Sequence, residues 1–144
     1  MKKYLINTID PNIQFYINSH DTDVSVSHEF KQNRYEPHVQ LLISNFIGEK
    51  KNLLDIGANY GQHSLFMSKL CPESNIVSIE ASDKNIECFK QSILDNNCKN
   101  INIQQAFLSD KKKRLDFIIG KEVPPALLDV KLTMLIDIRN MNNE

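Results

Sequence analysis

Asn52-Leu-Leu-Asp-Ile-Gly-Ala-Asn-Tyr-Gly61 decides how this chain folds: a short buried strand ends in an acid, a glycine turn follows, and an apolar-striped helix begins at once. Units of this kind hold nucleotides at the carboxyl ends of strands in α/β sheets. The acid narrows the ligand. A dinucleotide pyrophosphate rests over the glycine turn and would be repelled by Asp55, whereas a cationic ligand would be attracted. S-adenosylmethionine, with sulfonium and ammonium charges and no phosphate, meets that requirement. Gly57 lets the backbone take a positive φ or approach a ligand closely, and Asn59 is the non-glycine residue type that best tolerates a left-handed conformation.

Other nucleotide loops fail on residue type. A dinucleotide fingerprint needs G-x-G-x-x-G, and counting from Gly57 the second and third glycine positions hold Asn59 and Gln62. A phosphate-binding P-loop needs glycine followed by Lys and Ser or Thr, and Gly61 is followed by Gln62 and His63. A ligand-free strand-to-helix turn is the simpler alternative for the loop alone. Against it stands a second strand over residues 74–80, with Ile76, Val77 and Ile79 apolar, which finishes on Glu80, 23 positions after Gly57 (80 minus 57). The ribose-binding acid of a nucleotide-binding βαβ unit is expected about 20 residues beyond the glycine turn. A carboxylate there accepts hydrogen bonds from the ribose hydroxyls that all adenosine cofactors share.

Asp55-Ile-Gly-Ala-Asn-Tyr-Gly61, His63-Ser64-Leu65, Ile79-Glu80-Ala81 and Ala106-Phe-Leu-Ser-Asp110, with Tyr35-Glu36-Pro37 ahead of them, together resemble the FkbM-type S-adenosylmethionine-dependent methyltransferases. The resemblance runs from about residue 4 to residue 110 and is most specific in the D-I-G-A-N-x-G loop. It implies a class I methyltransferase fold and methylation of a hydroxyl on a sugar, lipid or small metabolite. It also places the adenine at Gln104-Gln105-Ala106, where Gln105 can accept from the exocyclic amine or simply point to solvent. The cofactor-binding residues expected are Asp55, Gly57, Ala58, Asn59, Gly61, Glu80, Ala81, Gln105 and Ala106. A hydroxyl acceptor needs a general base, and Glu36, His38 and Asp137 are the candidates, with nothing in the sequence to select among them.

Composition sets matching limits. The chain has 144 residues, 41% of them hydrophobic, enough for one domain with a core. Its net charge of −1 offers no field to draw nucleic acid or an anionic membrane. Cys71, Cys88 and Cys98 form no C-x-x-C pair and have no zinc-spaced histidine, so reduced structural thiols are expected and no metal. Asn7 and Asp10 interrupt the apolar run of the first residues before it reaches signal-peptide length, and no stretch is long enough to span a bilayer. A cytoplasmic protein is the expectation.

Along the chain, residues 4–9 and 13–17 read as a hairpin around Asp10-Pro11-Asn12, in which Asp and Asn bond local backbone. Residues 21–31 fit a strand through Val24 and Val26 or a short helix capped by Asp21. Val39, Leu42, Ile43, Phe46 and Ile47 then mark a helix begun by Pro37 and ended by Gly48. Strands and helices alternate to residue 105, which predicts a parallel, doubly wound sheet. On the helix after the glycine loop, His63, Phe66, Met67 and Leu70 share a stripe, so His63 reads as a packed residue near the cofactor mouth. On the next, Ile86, Phe89, Ile93 and Leu94 face the sheet and Ser82 or Asp83 caps the start.

After Asp110 the pattern departs from the resembled family. Residues 115–119 and 132–138 read as strands, Lys111-Lys-Lys-Arg114 as a solvated charge run, and Asp137-Ile-Arg-Asn140 keeps only the aspartate of the family's Asp-x-Glu-Gly-like segment. The expectation is an α/β, Rossmann-like class I methyltransferase sheet, incomplete at its C-terminus, with an N-terminal hairpin and helix annex over residues 1–34 and a cofactor domain over residues 35–144. Residues 132–138 would form an open edge able to pair with a second copy. A truncated, non-catalytic remnant that keeps only the cofactor pocket is one alternative, and another adenosine-nucleotide enzyme on the same fold is a second.

Overall fold

The chain begins with a hairpin, strand β1 (Lys2–Asn7) paired antiparallel with β2 (Gln14–Ser19), with Lys2 opposite Ser19 and Asn7 opposite Gln14. The computed structural model that shows this describes residues 1–20, 24–49 and 52–107. Asp10 makes the turn as its chemistry predicts: its carboxylate accepts from the Asn12 amide at 2.9 Å and its carbonyl from the Ile13 amide at 2.9 Å. Ile9 falls in this turn, and its amide donates to Gln40 Oε1 at 3.0 Å, so the strands sit nearer the chain start and the hairpin end than the apolar runs suggested.

The ambiguous segment is helical: α1 covers Val24–Lys31. Val26 and Phe30, four residues apart and so on one face, are both buried, and Phe30 meets the rings of Tyr4, Tyr35 and Tyr60. Helix α2 (Pro37–Ile47) has the expected proline start and glycine end, but its rotation differs from the five-residue stripe. Ile43 and Ile47 are buried with Gln40, while Leu42 is 54% and Phe46 71% exposed. The cause is polar. Gln40 accepts from the Ile9 amide and donates to the Tyr35 carbonyl at 2.9 Å, satisfying two backbone groups that burial would otherwise orphan.

Three parallel strands follow, β3 (Asn52–Ile56), β4 (Asn75–Glu80) and β5 (Ile101–Gln105), in the order β3-β4-β5. Helix α3 (Gln62–Leu70) joins the first two and α4 (Asp83–Asn96) the last two. The predicted stripe on α3 underestimates its burial, because every residue from Gln62 to Ser68 is buried. The sheet covers one side of this helix, while α2 and β2 pack on it as well.

On α4, Ser82 is the cap, its hydroxyl accepting from the Asn85 amide. Ile86 and Phe89 are buried and Ile93 packs against the core, but Leu94 is 73% exposed, against the sequence expectation. Cys88, Ser92 and Asn96 are buried in its stead, since the flank they occupy receives the hairpin. Ser92 Oγ accepts from the Asn18 amide at 2.8 Å. The Asn96 side chain accepts from the Tyr16 amide and donates to the Tyr16 carbonyl. Ile6, Phe15 and Ile17 of the hairpin share one apolar cluster with Leu53, Leu65, Phe66 and Phe89. All three cysteines are free thiols.

Among the described residues no helix is long and apolar enough to cross a membrane. The predicted strands at 115–119 and 132–138, the run Lys111-Lys-Lys-Arg114 and Asp137 all lie outside the described residues.

Two glycines with positive φ separate steric from conformational demands. At Gly61, φ is +85° and an added Cβ would collide with the Phe89 ring; at Gly48, φ is +48° and a Cβ would meet nothing. Gly48→Ala is therefore expected to cost backbone strain alone, about 1 to 3 kcal/mol, because φ 48° with ψ −136° is a region that side-chain-bearing residues seldom take. Gly61→Ala adds overpacking of about 1 to 3 kcal/mol. Chemical denaturation of the two variants checks this, and equal losses would mean that α4 yields freely at Phe89.

Candidate cofactor site at the glycine loop

The loop between β3 and α3 is tied to the next strand by its own backbone. The Gly57 and Ala58 amides both donate to the Ile79 carbonyl at 2.9 Å, and the Gly61 amide closes a turn on the Ala58 carbonyl. Asn59 takes the left-handed conformation foreseen for it, with φ 53°. Gly57, φ 75°, is exposed, and the space where its Cβ would stand is open. Gly57 thus leaves the loop face accessible, whereas Gly61 is buried and serves the packing of α4.

Asp55 is the penultimate residue of β3 and is 1% exposed. Its Oδ2 accepts from Ser64 Oγ, and Ser64 Oγ lies 2.7 Å from Ser78 Oγ. A hydroxyl has one proton, so with Ser64 donating to the carboxylate, Ser78 must donate to Ser64. Asp55 Oδ1 is buried without any hydrogen-bond partner. Burial pushes the Asp55 carboxyl up from its ordinary value and the Glu80 charge adds to this, opposed by His63 and by the bonds from Ser64. An unpaired carboxylate oxygen in such a place is costly unless a cation or donor reaches it. S-adenosylmethionine brings an ammonium and a sulfonium, so the donor-starved acid fits the group that the sequence proposed.

Glu80, at the end of β4, holds the loop as well as facing the crevice. Its Oε2 accepts from the Asn59 amide at 2.8 Å, and its Oε1 from the Ser82 amide at 2.9 Å and from Asn85 Nδ2 at 3.4 Å. Asn85 also donates to Asn59 Oδ1. A carboxylate has about four lone-pair directions. With three used by the loop and by α4, Glu80 keeps about one direction for a further donor. Gln105 and Ala106 lie exposed beyond the same strand ends. Gln105 Nε2 donates to Asp83 and to the Ala81 carbonyl, and the Ala106 amide donates to the Glu80 carbonyl. The local use of its nitrogen leaves Oε1 as the Gln105 atom open to a further donor.

A second group of polar residues stands beside the loop. His63 is buried on α3 as its stripe implied, yet its Nε2 lies 3.0 Å from Glu36 Oε2. Glu36 has φ 40° and ψ 60°, a left-handed backbone that non-glycine residues seldom take, and the proline after it restricts it further. Such strain costs about 1 to 3 kcal/mol and persists only where the surroundings impose it. Here the Glu36 amide donates to Glu29 Oε2 at 3.1 Å, and its carbonyl accepts from the Val39 and Gln40 amides. The Tyr35 phenol, which bonds the Glu36 carboxylate, is pushed well up by burial and then by the Glu36 charge. Of the three general-base candidates, Glu36 alone is brought to the loop: His38 is exposed on α2, and Asp137 lies outside the described residues.

Ser64, Ser78, Glu29 and Asn85 had no assigned part in the sequence reading. Ser64 stands outside the stripe of His63, Phe66, Met67 and Leu70, and it entered the sequence reading only within His63-Ser64-Leu65, with no link to Asp55.

Comparison with known proteins agrees with this geometry. The chain is 28% identical over 107 residues to a ribosomal protein L11 methyltransferase of Lactobacillus johnsonii (strain CNCM I-12250 / La1 / NCC 533), covering 74% of this chain and 32% of that protein. It superposes on the crystal structure of precorrin-6y C5,15-methyltransferase from Geobacter metallireducens GS-15 with a TM-score of 0.52 at 17% identity, covering 73% of this chain and 49% of that one. The chain thus spans about a third of the curated relative and half of the solved structure. The shared fold is the Rossmann-like class I methyltransferase fold. S-adenosylmethionine is the methyl donor of such enzymes. A family model described as methyltransferase small domain matches residues 24–134, well over half of the chain and the whole of the glycine-loop site, so the protein belongs to the methyltransferase small domain family.

Proposed function

We propose that this protein binds S-adenosylmethionine through Asp55, Glu80 and the Gly57–Gly61 loop, and transfers its methyl group to a hydroxyl on a sugar, lipid or small metabolite. The observation that carries the cofactor assignment is the buried, partnerless Oδ1 of Asp55 at the mouth of an open glycine turn. Asp55 receives the ammonium end, Glu80 one ribose hydroxyl, and Gln105 Oε1 the adenine amine, with Ala58, Ala81 and Ala106 supplying small walls. The FkbM-type reading rests on the resemblance of Asp55-Ile-Gly-Ala-Asn-Tyr-Gly61, Tyr35-Glu36-Pro37 and Ile79-Glu80-Ala81, and the hydroxyl acceptor rests on that reading. The low net charge favours a small acceptor over a polynucleotide. In-line attack by the acceptor oxygen asks the protein mainly for alignment and exclusion of water.

Calorimetric titration tests the two acids separately. Asp55→Asn should weaken S-adenosylmethionine binding by about 1.5 to 3 kcal/mol, the worth of a hydrogen bond to a charged group, and leave adenosine binding nearly unchanged. Equal losses for both ligands would refute the ammonium role.

The same substitution has a pH signature. A carboxyl whose folded pKa is raised gives up stability as pH rises through that value, because the folded state holds the proton more tightly than the unfolded one. The ligand-free wild type should therefore lose stability relative to Asp55→Asn as pH rises from acid to neutral, and parallel thermal-unfolding profiles would contradict the buried, strained acid.

Glu80→Ala should lower affinity for S-adenosylmethionine, its demethylated product and adenosine alike, since all share the ribose. It should also release the Asn59 amide and so quicken hydrogen exchange in the loop. Loss confined to the charged ligands would assign Glu80 to the wrong end of the cofactor.

A further inference from the structure

Glu36 is one member of an ordered pair, and its partner holds the more useful atom. His63 Nε2 is committed to the Glu36 carboxylate, while Nδ1 makes no hydrogen bond among the described residues. Asp55 Oδ1 is the buried side-chain polar atom left without a partner among those residues, so Nδ1, equally without one, retains contact with solvent. The ring is otherwise enclosed, 5.6 Å from the Tyr35 ring, and belongs to the second residue of α3, two positions after Gly61. A neutral imidazole whose Nε2 faces a carboxylate carries its proton there, which leaves a lone pair on Nδ1. The structure thus presents, beside the open loop face, a proton acceptor of fixed tautomer.

We infer that His63 Nδ1 takes the proton of the acceptor hydroxyl and that Glu36 is the positioning residue that fixes its tautomer and ring. This rests on the methyltransferase reading above. The balance is simple: the O–H proton moves to Nδ1, the oxygen forms the new bond to the methyl carbon, and the S–CH3 bond breaks with its electron pair left on sulfur. The imidazolium so formed faces Glu36 at 3.0 Å, with Asp55 of β3 also interacting with it. Glu29 of α1 and the Tyr35 phenol bear on the carboxylate side of the pair. The strained backbone of Glu36 also gains a purpose, since a relaxed residue before Pro37 would direct its side chain elsewhere.

Nuclear magnetic resonance of the full chain with isotope-labelled histidine tests the tautomer without any acceptor. Among four histidines, the signal lost in His63→Gln should report a ring protonated at Nε2 and bare at Nδ1, and in Glu36→Gln the same ring should show mixed tautomers. A neutral His63 protonated at Nδ1 would overturn the proposal. Transfer of labelled methyl to a panel of simple alcohols and monosaccharides gives the second readout. General-base removal should slow it roughly 100-fold or more in His63→Gln when transfer is measured on folded protein at saturating S-adenosylmethionine. Glu36→Gln should lose less and shift the acid limb of the pH–rate profile, where the imidazole becomes protonated and stops acting as a base. Undiminished transfer by His63→Gln would refute the role of the imidazole. A wild type with the expected tautomer that binds no S-adenosylmethionine, or binds it and methylates nothing on the panel, would overturn the methyltransferase or hydroxyl reading respectively, and this inference with it.

Discussion

A carboxylate driven into the interior at the end of β3, bonded through one oxygen and bare at the other, is the condition around which the site is arranged. Leaving it bare costs free energy in the ligand-free protein. That cost is tolerable because Ser78 and Ser64 form a directed relay into the bonded oxygen and because His63 lies close by. The cofactor cation of the proposed function would remove it. On the proposed function, part of the affinity for the cofactor would thus be stored as instability in the ligand-free state, in the manner of sites that trade fold stability for function.

The loop is held from the opposite side by a second acid. Glu80 bonds the Asn59 and Ser82 amides, so the turn after β3 and the start of α4 share one carboxylate. A ligand that competes for Glu80 thus meets a preorganised surface whose backbone geometry is already set. The division of labour between the glycines follows: Gly57 clears the ligand face, and Gly61 lets Phe89 approach from behind.

How far these features were legible depends on whether they are local. The glycine turn, both strand-end acids and the alternation of strands and helices follow from short spacings, and so could be read directly. The left-handed Asn59 and the Ser82 cap are likewise properties of a few neighbouring residues. The rotation of α2 was not legible, because it is set by Gln40 reaching the backbone of residues 9 and 35, and apolar periodicity carries no trace of that. Leu94 was misplaced for a related reason: the hairpin takes the flank of α4 that holds Ser92 and Asn96, leaving Leu94 on the outside. The pairing of Glu36 with His63 joins residues 27 apart through a backbone conformation that no propensity favours for glutamate before proline.

The Asn96 side chain does for β2 what a neighbouring strand would do, accepting from and donating to the backbone of Tyr16, 80 residues earlier in the chain. During synthesis β1 and β2 leave the ribosome ahead of α4 and therefore cannot complete their outer edge until α4 has followed them. A two-stranded hairpin by itself is marginal in water. The N-terminal segment must wait, exposed, for most of the described chain to be made, and then close over it. The order of translation is thus the reverse of the order in which the hairpin becomes secure, and long-range closure of this kind makes folding slow compared with a locally connected bundle of the same size.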